Sequence, residues 1–176
     1  MQSIELKSAN GARIAARVFA ATQVPKATVL IAAAMGVRQD YYGDFAAWLA
    51  RQGYTAMTFD YRGTGASRPE AMRHSLRGFD ADLFDWADDI DAAIEHLANT
   101  APGTPLYLVG HSLGAQLPGM LKHRDRIAGL VSVAAGSGYW RDNAPRLRSL
   151  VLYFWHVLVP LATWTCGYFP GARLKK

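Results

Sequence analysis

Cysteine occurs once in the 176 residues, at Cys166. A lone thiol excludes a disulfide framework, and the absence of any C-x-x-C pair or Cys/His cluster removes the usual zinc signature. The opening stretch, MQSIELKSANGARIAARVF, lacks an apolar core followed by a small-residue cleavage site. No signal peptide is read there, and a cytoplasmic protein is expected. Gly at 16 and Pro at 8 are ordinary usage, which excludes collagen-like and low-complexity chains. No internal repeat recurs and no Gly/Ser run divides the chain. The body also lacks an excess of either charge: residues 1–140 hold 13 basic and 13 acidic side chains. The formal +5 therefore belongs to the tail, where Arg141, Arg146, Arg148, Arg173, Lys175 and Lys176 face only Asp142. A nucleic-acid domain spreads basic residues over a binding face, so no nucleic-acid partner is expected.

What is present is an alternation of strand-like and helix-like segments on a length suited to one domain. Ile4–Lys7 and Arg13–Phe19 flank the turn signal Ala9-Asn10-Gly11 and read as an opening hairpin. Ala27–Ala34 (ATVLIAAA) is a continuous apolar run, the pattern of a strand covered on both faces. Tyr41–Gln52 repeats apolar residues every three or four positions and stops at Gly53, which predicts a helix. Tyr54–Phe59 is the next strand. Asp82–Ala98 carries the apolar stripe Leu83, Trp86, Ala87, Ile90, Ile94 and Leu97, with Asp80, Asp82 and Asp85 near the helix start, where the dipole favours anions. Leu106–Val109, Leu113–His123 and Ile127–Ala135 complete the order β-β-β-α-β-α-β-α-β. That order predicts an α/β fold with a mostly parallel sheet of about six strands and helices on both faces.

Between the strand LYLV and the following helix stands Gly110-His111-Ser112-Leu113-Gly114, a G-x-S-x-G turn in the strand-to-helix context the motif requires. A serine hydroxyl becomes a useful nucleophile only when it is exposed and a base takes its proton. A tight turn exposes it but crowds the positions two residues away, where Gly110 and Gly114 relieve the crowding. The backbone N–H of Leu113, opening the helix, is placed to donate to an oxyanion.

With these residues in place the chain resembles the α/β-hydrolase family over residues 1 to about 140. The resemblance makes Gly110–Gly114 the nucleophile elbow and Ser112 the nucleophile. Asp60-Tyr61-Arg62-Gly63-Thr64-Gly65-Ala66-Ser67 is similar to the family's D-x-R-G-x-G-x-S segment and reads as architectural, with Arg62 holding backbone or carboxylate partners. Ala33-Ala34-Met35-Gly36 aligns with the family's oxyanion loop, which implies the N–H of Met35 as the second donor beside Leu113. Ala33 and Ala34 replace the common His-Gly there, Ala115 stands where glycine is frequent, and Pro118 predicts a kink in the helix after the serine.

The family's triad runs serine, acid, histidine. After Ser112 the chain offers only Asp125 and Asp142 as acids, with His123 and His156. His74, His96 and His111 lie upstream, and none of the five histidines carries a signal that singles it out as the base. The resemblance thus implies a hydrolase core over 1–140, the start of an apolar helical lid over 141–176, and final strands that are missing. The expected edge strand IAGLVSVAA is a site for self-association. Residues 149–169 form 21 uncharged residues, enough to reach across a bilayer and so to allow membrane contact.

The expected function is that of a serine hydrolase acting on a small carboxylic ester or related acyl substrate, with no cofactor and no metal. The rival expectation is a truncated, catalytically inactive hydrolase, membrane-associated through residues 149–169.

Overall fold

The computed structural model describes residues 1–169. Arg173, Lys175 and Lys176, half of the basic tail charge, lie outside the described residues. Two compact units divide the chain, one of residues 1–68 and 81–135, the other of residues 69–80 and 136 onward.

The larger unit is built on one six-stranded sheet in the order β1-β2-β4-β3-β5-β6. Its strands are β1 (Gln2–Lys7), β2 (Arg13–Phe19), β3 (Thr28–Ala32), β4 (Thr55–Phe59), β5 (Leu106–His111) and β6 (Ile127–Val133). The hairpin β1–β2 and the β2–β4 pair are antiparallel, whereas β4, β3, β5 and β6 run parallel. The fold is therefore the α/β arrangement expected, with the parallel part carried by the apolar runs. Every residue of β3 is buried, as a strand with neighbours on both sides requires.

Helix α1 (Gly43–Arg51) buries Ala46 and Leu49, and α2 (Leu83–Thr100) buries Ala87, Ile90, Ala93, Ile94 and Leu97. A capping box starts α2: Asp82 accepts from the Phe84 and Asp85 N–H groups while the Asp85 carboxylate accepts from the Asp82 N–H. That box satisfies otherwise orphaned donors of the first turn and contributes about 0.5–2 kcal/mol. The helix after the serine is shorter than the sequence pattern predicts. Helix α3 covers only Leu113–Gln116, and a 3₁₀ turn over Leu117–Met120 follows. Pro118 has no N–H to continue the ladder, and the chain leaves helical geometry at Leu121.

Within the smaller unit, α4 (Pro145–Tyr153), a π-helical turn over Phe154–Leu158 and α5 (Val159–Cys166) form one 22-residue apolar stretch. Pro145 opens it, where a missing N–H costs nothing, and Gly167 at φ +79° closes it. The Arg77 guanidinium donates to the Thr165 carbonyl at 2.9 Å, so the 69–80 segment is tied to the end of α5.

Candidate active site

Ser112 sits between the end of β5 and the start of α3 with φ +51° and ψ −111°. An L-residue pays of order 1–3 kcal/mol for such a conformation, and it persists only when its surroundings over-determine it. Those surroundings are visible. The Ser112 N–H donates to the Val133 carbonyl at 2.9 Å, and the Ala115 N–H donates to the Ser112 carbonyl at 3.0 Å. The flanking glycines leave no room for a side chain. A Cβ on Gly110 would lie 2.5 Å from the Gly114 carbonyl oxygen, and one on Gly114 would lie 2.3 Å from that of Ala32. The turn is therefore pressed against the end of β3.

That contact brings in the second loop. Ala32 pairs with Gly110 across β3 and β5, so the loop after β3 and the serine turn leave adjacent strands at one level. The Val37 N–H donates to the Ala34 carbonyl, closing a turn with Met35 and Gly36 at its centre and Gly36 at φ +70°. Central residues of such a turn do not spend their N–H groups on its closing bond. Leu113, as the first residue of α3, likewise has no acceptor within its helix. With only four residues in α3, the donor at Leu113 is a local N–H rather than the end of a long helix dipole.

Tyr42 joins the two loops. It ends a 3₁₀ turn, Gln39–Tyr42, that precedes α1, and is not part of the helix itself. Its hydroxyl accepts from the Ala34 N–H at 3.0 Å and lies 2.8 Å from His111 Nδ1. Burial pushes this phenol above its ordinary value, so it keeps its proton at neutral pH. His111 is thus turned toward Tyr42. Sequence reasoning missed Tyr42 because its spacing reads equally well as part of the α1 stripe.

The Asp60–Ser67 segment supports the site from beside it. Asp60 is buried and accepts from the Gln39 N–H at 2.8 Å, the Gln39 amide at 3.0 Å and the Ala66 N–H at 2.9 Å. A Cβ on Gly65 would fall 2.3 Å from that carboxylate. Arg62 is also buried; its Nε and Nη2 donate to Asp89 at 2.9 and 2.6 Å, and Nη2 also reaches Ser8. Burial raises the Asp89 carboxyl, against the hydrogen bonds and charge of Arg62, which lower it. Arg62 has the carboxylate partners expected of it.

Among the described residues no acid and no histidine is hydrogen-bonded to the Ser112 hydroxyl. His74 is exposed in the smaller unit, His96 is on α2, and His123 precedes a 3₁₀ turn with its N–H held by Asp91. His156 is exposed within the π-helical turn. Asp125 is exposed, and Asp142 bonds the Ser137 hydroxyl. Among the described residues no group of three or more His, Cys, Asp or Glu side chains could hold a metal ion.

On the α1 side of the sheet lies a groove of about 830 Å³. Val29, Ile31, Tyr107, Val109 and Val131 form its floor, and His111 and Tyr42 stand in its wall.

Four parallel strands behind an antiparallel hairpin, with a strained serine in the turn after the second-last strand, define an α/β hydrolase. The family is equally plain: residues 23–168 match the model of the serine aminopeptidase S33 family, and the chain belongs to it. A monoglyceride lipase homolog of monkeypox virus is 29% identical over 93 residues, which are 53% of this chain and 32% of that protein. The chain spans about a third of the length of this curated relative. Solved α/β hydrolases share the fold. A lidless serine hydrolase from Xanthomonas campestris has a TM-score of 0.62 at 20% identity, over 79% of this chain and 63% of that one. A soluble variant of monoglyceride lipase from Saccharomyces cerevisiae, solved with a substrate analog, gives 0.67 at 21%, over 94% and 52%. A thermostable carboxyl esterase from Bacillus coagulans gives 0.68 at 19%, over 85% and 50%.

Proposed function

We propose that this chain carries the nucleophile half of an ester hydrolase for small acyl substrates, with Ser112 as the attacking residue. The observation that supports this most is the left-handed φ of Ser112 between two glycines that admit no side chain. A sharp strand-to-helix turn of this kind is the setting that presents a serine hydroxyl at the end of the sheet. In the proposed reaction Ser112 Oγ bonds to the ester carbonyl carbon and its proton passes to a base. The carbonyl oxygen becomes an anion facing the N–H groups of Leu113 and Met35. Collapse then breaks the C–O bond, and the alcohol leaves with a proton. Water afterwards releases the acyl group by the same route. Each oxyanion donor is worth about 10²–10³ in rate. The likeness to a viral monoglyceride lipase homolog favours esters of apolar acids among the possible substrates.

Fluorophosphonate labelling of the purified chain, read by intact mass, tests this reading. One adduct is expected on the unaltered chain and none on Ser112→Ala. Folded protein that takes up no label, or that labels equally after the substitution, refutes it.

A second reading concerns the helical stretch Pro145–Cys166, whose mean hydropathy reaches 1.4 and which has none of that window buried. Length and composition suit a lipid surface or a membrane crossing. On this reading the hydrolase works beside lipid, and the chain floats with phosphatidylcholine vesicles on a density gradient. A chain that stays at the bottom of the gradient excludes it.

A further inference from the structure

The proposed reaction needs two N–H groups from two separate loops to converge on one oxygen. An oxyanion hole loses most of its effect when a donor is displaced by even an ångström. Backbone pairing alone leaves this unprotected, because β3 and β5 end at Ala32 and His111 and both donors lie beyond them. Burial holds the start of the loop at Ala33 and Ala34 but fades at the donor itself: Met35 is 54% exposed and Gly36 has no side chain to anchor it. Past Ala34, a hydrogen bond rather than side-chain packing is what can hold the loop against the serine turn.

We propose that Tyr42 is the positioning residue for both oxyanion donors, its hydroxyl tying the N–H of Ala34 to the ring of His111. This rests on the ester hydrolase reading above. The bond pattern gives the tie a direction. A phenol has one proton to donate and accepts through its oxygen. The Tyr42 oxygen accepts from Ala34, one residue before Met35, at 3.0 Å. On this proposal its proton is donated to Nδ1 of His111, two residues before Leu113, which lies at 2.8 Å. That direction makes Nδ1 the acceptor of the tie. One buried hydroxyl spans the two loops, bonded one residue before Met35 and two residues before Leu113 rather than at either donor. The edge-on packing of the Tyr42 and His111 rings, 6.0 Å between centres, keeps the contact in place. The same tie explains why a histidine occupies the position before the serine without touching its hydroxyl: its work is on the other side of the turn.

Tyr42→Phe removes the hydroxyl and keeps the ring. Tyr41→Phe is the control, because Tyr41 is 74% exposed and its ring packs on Tyr42 without joining the tie. Thermal melting establishes that each variant is folded. Three readings are taken: the rate of fluorophosphonate labelling, the ¹⁵N resonances of the His111 ring, and hydrogen exchange at the Ala34 amide. Expected for Tyr42→Phe are labelling slowed about tenfold, loss of the accepting Nδ1 signature, and faster Ala34 exchange, with Tyr41→Phe unchanged in all three. Labelling of folded Tyr42→Phe at the unaltered rate overturns the proposal. If the unaltered chain does not label at all, the hydrolase reading fails, and the ring and exchange signals decide the tie separately. A His111 ring and an Ala34 amide that do not respond to Tyr42→Phe then overturn it, and their response upholds it.

Discussion

The two faces of β5 differ sharply although they share one strand, whereas the central β3 is buried on both. Along β5, Leu106, Leu108 and Gly110 are buried, while Tyr107 between them is 40% exposed and Val109 and His111 are half-buried. The buried set looks toward α2 and α3, and the other set floors the open groove beside α1. Across β6 the difference fades, since Leu130, Val131 and Val133 are all exposed. Period-two alternation in a strand normally separates apolar from polar residues. Here both sets are mostly apolar, and the covering elements separate them. The lesson is that hydrophobicity along a strand records the intention to be covered, and that burial records whether a helix has arrived.

Substitutions can break or sharpen this contrast. The largest effect is expected at Asp89, buried on α2, which covers one face. Asp89→Ala strands the buried Arg62 guanidinium without its main partner, and denaturant unfolding should show a loss of about 3–5 kcal/mol. Leu108→Ala, at 0% exposure, should follow with about 2–5 kcal/mol by the same measurement. Val131→Ala, in the groove and 53% exposed, should change stability by no more than about 0.5 kcal/mol. If Val131→Ala costs as much as Leu108→Ala, the open face is covered in solution and the contrast is lost.

Strands and long helices were legible because their signals are local. The apolar run at 27–34 and the stripe from Leu83 to Leu97 need no partner to be recognised, and β3 and α2 lie where they point. The serine turn was legible too, since its glycines and its strand-to-helix setting are contiguous; the structure adds why those glycines are needed. Helix α3 was overestimated: Pro118 signalled a disturbance, but the residues after it kept a helical look until Leu121 turned extended. The Arg62–Asp89 pair and the Tyr42–His111 contact are 27 and 69 residues apart in the chain. No spacing rule reaches that far. Arg62 is expected to find carboxylates because its segment resembles the family's, whereas Tyr42 stands in no motif and fits the apolar spacing of 41–52 as well as any other member. The acid and base of the expected triad are not legible, because no acid or histidine after Ser112 carries a local signal of that role.

The backbone of Ser112 has an evolutionary consequence. Glycine reaches φ +51° without penalty, so Ser112→Gly relieves about 1–3 kcal/mol of strain. Under selection for heat resistance alone, the fittest single change at this position is the one that silences it. A lineage free of any demand on the hydroxyl would drift toward glycine there, and a library screened only for survival at high temperature should enrich it. The serine stands as a toll on stability that only use can justify.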